Sequence, residues 1–306
     1  MALKIKNTTN NEFPLYPETK TSIKNILINS FKFLIFEWRL FAVVLAFYIF
    51  KSFILDQNSS INNDLTLTQQ YFEFILMQLP RIIFDLLFWI GIMPIIILSG
   101  KEYLTRQEKL RFEEHSICIS YIYKINIGIF QFWKGMMGRY FVPLFQYKSI
   151  FSVLGFLMIC FSTLSMYNIA LMPEPDLKII AGFIGIFEMI LGFILFLAPV
   201  IIVLENKTFV DGAKKSAHIV RKKLKECIIF NIILVLINPF NILFLAIIIS
   251  HYAAIPWFNY LQLTQVPGFE FFQLILSSGW FIFCNAAIIG FYLSISEERK
   301  LIQQTR

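Results

Sequence analysis

The chain has 306 residues, of which 57% are hydrophobic and only 15% charged, and its formal net charge is +7. Ordinary soluble domains carry about 25% charged residues and 45–50% apolar ones. They also lack the uninterrupted apolar runs of about 18 residues that recur in this sequence. This composition excludes an ordinary soluble domain and predicts an all-α, polytopic membrane protein.

The N-terminal region is expected to lie outside the membrane. Residues 1–17 form a polar tail without the apolar core of a cleavable signal peptide. In residues 18–36, apolar residues recur at helical spacing between lysines, which predicts an amphipathic helix at the membrane interface. Residues 37–39 (EWR) are predicted to mark the level of the lipid headgroups.

Six membrane-spanning helices are predicted within a single membrane domain that occupies residues 18–306. Their approximate bounds are 40–55, 74–98, 150–171, 179–204, 228–250 and 271–295. Residues 117–133 are harder to assign, because they are apolar but contain Lys124 and Asn126 near their middle. We expect this segment to lie at the interface or to re-enter the membrane, although a spanning helix is the alternative.

The basic residues predict the orientation of these helices. Residues 1–39, 99–149, 206–226 and 296–306 together contain 24 of the 27 Lys and Arg residues. Loops rich in Lys and Arg stay on the cytoplasmic side of a membrane. The sequence therefore predicts a multi-pass protein of the bacterial inner membrane with both termini in the cytoplasm.

A weak internal repeat accompanies the six spans. Residues 93–101 read MPIIILSGK, residues 198–207 read APVIIVLENK, and the sixth span also ends in an aliphatic run followed by charged residues. The pattern predicts three helix-hairpin units, related by rotation about the membrane normal.

A few polar residues interrupt the predicted spans and are candidates for an intramembrane cluster. Arg81 and Asp85 are four residues apart, so they share one face of the second span. Glu188 lies inside the fourth span, where it is expected to pair with Arg81 or Lys51, and Asn238 lies beside a proline in the fifth. Because a charge at mid-bilayer costs about 2.5–3.5 kcal/mol, these groups should face the bundle or a wet cavity. They either line a polar pathway or staple helices together.

A basic amphipathic helix is predicted after the fourth span. Thr208-x-x-Asp211 has the pattern of a capping box, and Ser99-x-x-Glu102 repeats it after the second span. The predicted apolar face comprises Phe209, Ala213, Val220 and Leu224. The candidate docking residues for lipid or a partner are Lys214, Lys215, Arg221, Lys222 and Lys225. This face would bind the anionic inner leaflet, a membrane-protein partner or a second copy of the chain, and simple anchoring by basic residues is the plainer alternative.

The sequence lacks the motifs of familiar enzymes. It contains no H-E-x-x-H, Walker A or G-x-S-x-G pattern, and its four cysteines have no paired-ligand spacing. Its basic residues do not alternate with stacking aromatics on a polar face, which argues against nucleic acid as a partner. We therefore expect no enzymatic activity, no metal site and no cofactor.

Residues 199–223 resemble a segment of the membrane domain that is fused to some bacterial glycerophosphoryl diester phosphodiesterases, and of related six-helix inner-membrane proteins. The matching residues are Pro199, Glu205, Ala213, Lys214, Lys215, Ser216, Val220 and Lys222. Gly212 and Ala217 depart from the family pattern, which commonly has Glu and an aromatic residue there. The resemblance implies a membrane module and not the hydrolase activity, because the catalytic barrel of those enzymes is a separate domain.

These observations favour a non-enzymatic integral membrane protein that organises lipid or a partner complex through its basic cytoplasmic helices. The alternative is a transporter or channel subunit whose polar pathway passes near Arg81, Asp85 and Glu188. The two functions depend on different residues, so they can be tested separately.

Overall fold

The structure is a computed structural model that describes residues 22–56, 66–105, 129–166, 174–242 and 268–304. These residues are helical apart from short turns and caps, and no strand occurs among them. The helices are α1 (Ile23–Phe36), α2 (Trp38–Asp56), α3 (Leu67–Thr105), α4 (Ile129–Met166), α5 (Glu174–Leu195), α6 (Ala198–Glu205), α7 (Phe209–Lys222), α8 (Leu224–Ile237) and α9 (Phe269–Gln304). The predicted all-α class is confirmed.

Several of these helices are long and apolar enough to cross a membrane. The four stretches are Thr68–Leu104, Gly138–Leu164, Asp176–Glu205 and Phe269–Ser296, and the bent pair α1–α2 would make a fifth span. These helices indicate a multi-pass membrane protein. The stretch Gly138–Leu164 begins well before the predicted boundary at residue 150.

The predicted number of six spans stays a prediction. Helix α8 begins the predicted fifth span, but residues 243–250 of that span lie outside the described residues. Residues 117–128 of the segment that was hard to assign also lie outside them, whereas residues 129–133 form the first turn of α4.

Helices α1 and α2 meet at a sharp bend of 76°. One seam of buried side chains continues through the bend, formed by Ile26, Ser30, Phe33, Glu37, Leu40 and Val44. Their spacing of three and four residues keeps them on one helix face, and on α1 this face packs against α9. Glu37 is therefore fully buried, whereas Trp38 is 59% exposed, and the prediction that residues 37–39 mark the headgroup level stays a prediction.

Helix α3 runs without a break past Pro94 to Thr105. The prediction that Ser99 begins a new helix is therefore wrong. The reason is the close packing of α3 on α9: a Cβ atom placed on Gly100 would lie 2.9 Å from Cδ1 of Ile289. Ser99 is buried at this contact, so the chain cannot turn away to the surface there.

The core is concentrated toward one end of the bundle. Residues 92–97 of α3 and 198–203 of α6 are buried, and they share one core with the inner face of α9. These are the aliphatic segments from which the internal repeat was predicted. Their common burial does not test the repeat, which stays a prediction.

The third apolar stretch is broken between α5 and α6. Residues 196 and 197 form a turn, and Pro199 lies in the first turn of α6. A helix end leaves backbone carbonyls without intrahelical donors, and in an apolar environment each needs another partner. The hydroxyl of Ser216 on α7, which is fully buried, donates a hydrogen bond of 2.8 Å to the carbonyl of Ile194. Helix α7 thus supplies a hydrogen-bond donor to a backbone carbonyl at the break between α5 and α6.

A tight turn folds α7 back along α6. Asn206 ends α6 in the left-handed conformation, with φ of 53°, and the amide of Lys207 donates to the carbonyl of Ile202. A Cβ atom on Gly212 would lie only 2.7 Å from Cγ1 of Ile202, so glycine permits this close approach of the two helices.

Thr208 caps α7 as its sequence predicts. Its hydroxyl oxygen accepts from the amide of Asp211 at 3.2 Å. The carboxylate of Asp211 accepts from the Thr208 hydroxyl at 2.8 Å instead of reaching the backbone. The cap is therefore confirmed, with a different second hydrogen bond.

Removing the hydroxyl that closes the break should destabilise the fold. Ser216→Ala leaves the Ile194 carbonyl without this donor in a buried site, and we expect a loss of about 1–3 kcal/mol in the free energy of unfolding. Ser277→Ala is the matched control, because the Ser277 hydroxyl bonds within the uninterrupted helix α9. Thermal unfolding in mild detergent measures both variants. Equal unfolding temperatures for Ser216→Ala and Ser277→Ala would show that the Ser216 hydrogen bond does not stabilise the helix break.

Candidate functional site

Four charged side chains of the apolar helices interact electrostatically with one another, and we call them the mid-span charge cluster. They are Lys51 on α2, Asp85 on α3, Lys148 on α4 and Glu188 on α5. Each lies inside a helical stretch that is apolar enough to cross a membrane, with α2 counted as part of the bent pair. Charges at such positions are costly and usually paired.

Lys51 and Asp85 form a direct ion pair between α2 and α3. The ammonium of Lys51 donates to both carboxylate oxygens of Asp85, at 2.8 and 2.6 Å. The two side chains are 27% and 40% exposed. The pair satisfies both charges and joins the end of the α1–α2 stretch to the middle of the α3 stretch.

Lys148 interacts electrostatically with two carboxylates without forming an ion pair to either. Asp85 and Glu188 both attract its ammonium, and Lys51 repels it. The ammonium lies 5.7 Å from the centre of the Trp89 ring, and that ring stacks on Tyr147. A cation over an aromatic face is stabilised by the ring quadrupole, so Trp89 holds Lys148 in this position.

Sequence reasoning missed Lys148 as a member of the cluster. The residue was counted with the basic segment 99–149, next to the predicted span 150–171. In the structure it lies well inside Gly138–Leu164. The run FVPLFQY just before it was an available signal, because aromatic and aliphatic residues are typical of a span and not of a basic loop.

Glu188 lies at the closely packed contact of α5 with α4. A Cβ atom on Gly155 would lie 4.0 Å from Oε1 of Glu188, so the small residue leaves room for the carboxylate. Gly185 and Gly192 make similar contacts with Met158 and Phe151 of α4. Among the residues that the structure describes, none forms a hydrogen bond or an ion pair with the Glu188 carboxylate.

The predicted intramembrane set of Arg81, Asp85, Glu188 and Asn238 is only partly brought together. Arg81 lies one turn before Asp85 on α3, but Lys51 is the cation that pairs with Asp85. Asn238 ends α8, and its side-chain oxygen accepts from the amide of Phe240 at 3.0 Å. Asn238 therefore stabilises the local backbone beside Pro239.

A second candidate site is the surface of α7. Of its predicted docking residues, Lys214, Arg221, Lys222 and the following Lys225 of α8 are exposed. Its buried residues are Gly212, Ser216, Ile219 and Val220. This face differs from the predicted apolar face, in which only Val220 is shared, because the contacts with α6 and with the α5 break select small residues.

Lys215 differs from the other basic residues of α7. Its ammonium forms an ion pair with Glu205 at the end of α6, and the hydroxyl of Tyr292 on α9 donates to the same carboxylate. Arg139 of α4 donates to the side chain of Asn206 in the adjoining turn, at 2.7 Å. The ion pair fastens α7 to α6, and the other two contacts fasten the end of α6 and the following turn to α9 and α4.

The Lys51–Asp85 pair predicts a clear pattern of stability. Lys51→Met or Asp85→Asn alone leaves one charge without its partner in an apolar region, whereas the double variant removes both charges. We expect the double variant to lose less stability than the two single variants lose together. The difference, which is the coupling energy, should be about 1 kcal/mol after allowance for partial exposure. A double-mutant cycle of thermal unfolding in detergent measures this coupling. Additive effects would contradict an energetically important pair.

Comparisons with known proteins identify no relative of this chain. No family model matches the chain, and neither a curated protein nor a solved structure is significantly similar to it. The resemblance of residues 199–223 to the phosphodiesterase-associated membrane domain therefore stays a prediction, and functional inference depends on the two sites described above.

Proposed function

We propose that the protein is a non-enzymatic integral membrane protein that docks through α7 to the anionic headgroups of the inner leaflet. The observation that carries the proposal is the division of α7 into two faces. Gly212 and Ser216 lie on the buried face, whereas Lys214, Arg221 and Lys222 are exposed together. A rigidly held basic face is suited to a surface of opposite charge.

The placement of the helix ends supports a single docking side. Ile26 of α1 contacts Gly290 of α9, and Tyr292, one half-turn further along α9, bonds to Glu205 just before α7. The beginning of α1, the hairpin of α6 and α7, and the last part of α9 thus lie at the same end of the bundle. We propose that this end is cytoplasmic, because Lys24 of α1 and the exposed cations of α7 lie there.

Lipid is a better occupant of this surface than a soluble acidic partner. Val210 and Leu224 are 53% and 49% exposed beside the basic residues. Exposed apolar residues beside lysines are typical of helices that lie in the interface, where the apolar groups enter the acyl boundary and the cations contact phosphates. A membrane-protein partner or a second copy of the chain is the alternative occupant.

Neutralising the exposed cations should weaken retention of anionic lipid. We expect the combined variant Lys214→Gln, Arg221→Gln, Lys222→Gln and Lys225→Gln to retain anionic phospholipid at least about tenfold less well than the wild type, since each cation near an anionic surface contributes about 1 kcal/mol. Native mass spectrometry of protein taken from mixed phosphatidylglycerol and phosphatidylcholine nanodiscs measures the bound lipids.

Lys178→Gln is the control, because α5 begins at the opposite end of the bundle. Lys215 is left unchanged, since its loss would also break the contact with Glu205. Equal retention of phosphatidylglycerol by the wild type and the combined variant would refute leaflet docking by α7. Co-purification of a stoichiometric protein partner that is lost in the variant would favour the alternative occupant.

A second candidate function is transport of a small ion. The observation that favours it is the mid-span charge cluster, because ionisable residues inside spans frequently mark ion pathways. In this proposal Asp85 and Glu188 provide acceptor groups, and both attract Lys148. Arg81, one turn from Asp85, would extend the pathway along α3.

The transport proposal predicts a flux that depends on both carboxylates. Purified protein in vesicles with a trapped pH-sensitive dye should carry protons under an imposed potential, and Asp85→Asn and Glu188→Gln should each abolish this flux. Lys222→Gln is the control, because Lys222 is exposed on α7. Flux that is absent from the wild type, or unchanged in both carboxylate variants, would exclude the pathway.

A further inference from the structure

A hydrogen bond joins the ends of two apolar stretches near the beginning of α7. Arg139 is the second residue of the stretch Gly138–Leu164, and Asn206 directly follows the stretch Asp176–Glu205. Nε of Arg139 donates a hydrogen bond of 2.7 Å to Oδ1 of Asn206. Basic side chains at the ends of spans lie at the boundary between acyl chains and phosphates, so we expect this pair at the level of the lipid headgroups.

The guanidinium of Arg139 is oriented by two contacts and is otherwise exposed. Besides the hydrogen bond to Asn206, its central carbon lies 5.5 Å from the centre of the ring of Tyr140, which is buried. A cation near an aromatic face is stabilised by the ring quadrupole. Among the described residues, no second group accepts a hydrogen bond from Arg139. Its Nη1 and Nη2 atoms can therefore donate to a ligand.

Asn206 contributes through both its backbone and its side chain. Its φ of 53° is left-handed, a conformation that glycine and asparagine adopt most readily at the end of a helix. Glycine would form the same turn, but asparagine also supplies the oxygen that accepts from Arg139. The turn that folds α7 back along α6 therefore also positions the guanidinium of Arg139.

The surroundings of Arg139 suit an anionic group that carries an acyl chain. Lys207, the next residue of the turn, is exposed and adds a second cation. A Cβ atom on Gly138 would meet no described atom within 4 Å beyond its chain neighbours and its own helix backbone, so the surface beside Arg139 is open. Val142 follows Arg139 by three residues, so it shares that face of α4, and it is 60% exposed.

We propose that Arg139 and Lys207 bind the phosphate of one anionic phospholipid. The planar guanidinium matches two phosphate oxygens, and the ammonium of Lys207 provides a second positive charge beside it. Basic sites between helices at a membrane surface recognise lipid headgroups in this way. An acyl chain of the lipid lies along the exposed apolar face of α4 at Val142. The site rests on the proposed placement of this end of the bundle at the anionic leaflet, but it shares no residue with the docking face of α7.

Native mass spectrometry of the full-length protein from nanodiscs of phosphatidylglycerol and phosphatidylcholine tests the site. As the collision energy rises, the wild type should keep one phosphatidylglycerol after the others have left. Arg139→Lys keeps the charge but loses the paired donors, so the ratio of protein with this lipid to protein without it should fall about tenfold, as for one lost hydrogen bond to a charged group. Arg39→Lys is the matched control and should retain the lipid, because Arg39 also lies 5.5 Å from an aromatic ring but donates to no described residue.

A second variant tests the orientation of Arg139 while its charge stays in place. Asn206→Gly should fold as the wild type does, because glycine adopts the left-handed conformation freely, but it removes the acceptor for Nε and should also lower retention of the last lipid. Equal retention by the wild type, Arg139→Lys and Asn206→Gly would overturn the proposal. Inorganic phosphate retained by the wild type in place of the lipid would assign the site to a free anion and would overturn it as well.

The outcome is distinguishable from that of leaflet docking by α7. Loss of the last lipid in Arg139→Lys, together with unchanged lipid retention in the combined α7 variant, would support the site and refute only docking by α7. Loss of that lipid in the combined α7 variant but not in Arg139→Lys would assign the lipid to α7 and overturn the site.

Discussion

The hydrogen bond from Ser216 to the carbonyl of Ile194 is the contact on which the arrangement of α5, α6 and α7 depends. A break inside an apolar stretch leaves backbone groups that need polar partners, and water is not available to supply them. Here the partner comes from α7, a helix that is itself basic and amphipathic. Gly212 allows α7 to approach α6 closely enough to deliver that hydroxyl. The hydrogen bond from Ser216 to Ile194 therefore also determines which face of α7 is exposed.

Glu205 reinforces this arrangement by joining three helices. It ends α6, accepts from Lys215 of α7 and accepts from Tyr292 of α9. Lys215 of α7 is thereby held in an ion pair within the bundle, whereas Lys214, Arg221 and Lys222 are exposed. The residue that anchors α7 is thus distinct from the exposed cations for which docking is proposed. A rigid basic face engages a flat anionic surface with less loss of conformational entropy than a flexible tail.

In the mid-span charge cluster, too, charged groups in apolar surroundings need partners, but only some of them have a direct one. Lys51 and Asp85 neutralise each other, as buried or half-buried charges normally do. Glu188 does not have such a contact among the described residues, and Lys148 is held nearby on an aromatic ring. Helix α5 carries both Glu188 and the carbonyl of Ile194 that α7 closes. The two candidate sites are therefore connected through one helix, although each is tested by its own variants.

The sequence by itself determined the helical class, the apolar stretches, the cap at Thr208 and the basic character of α7. All of these follow from local composition and spacing, which need no knowledge of neighbouring helices. It also singled out Asp85 and Glu188, because charges in apolar runs are conspicuous. Only the tertiary structure decided that Lys51 pairs with Asp85, that Lys148 belongs to the cluster and that Glu37 is buried. Likewise, Ser99 continues a helix because α9 packs tightly against Gly100. These outcomes depend on contacts between helices distant in sequence, and such contacts leave no periodic pattern in the chain.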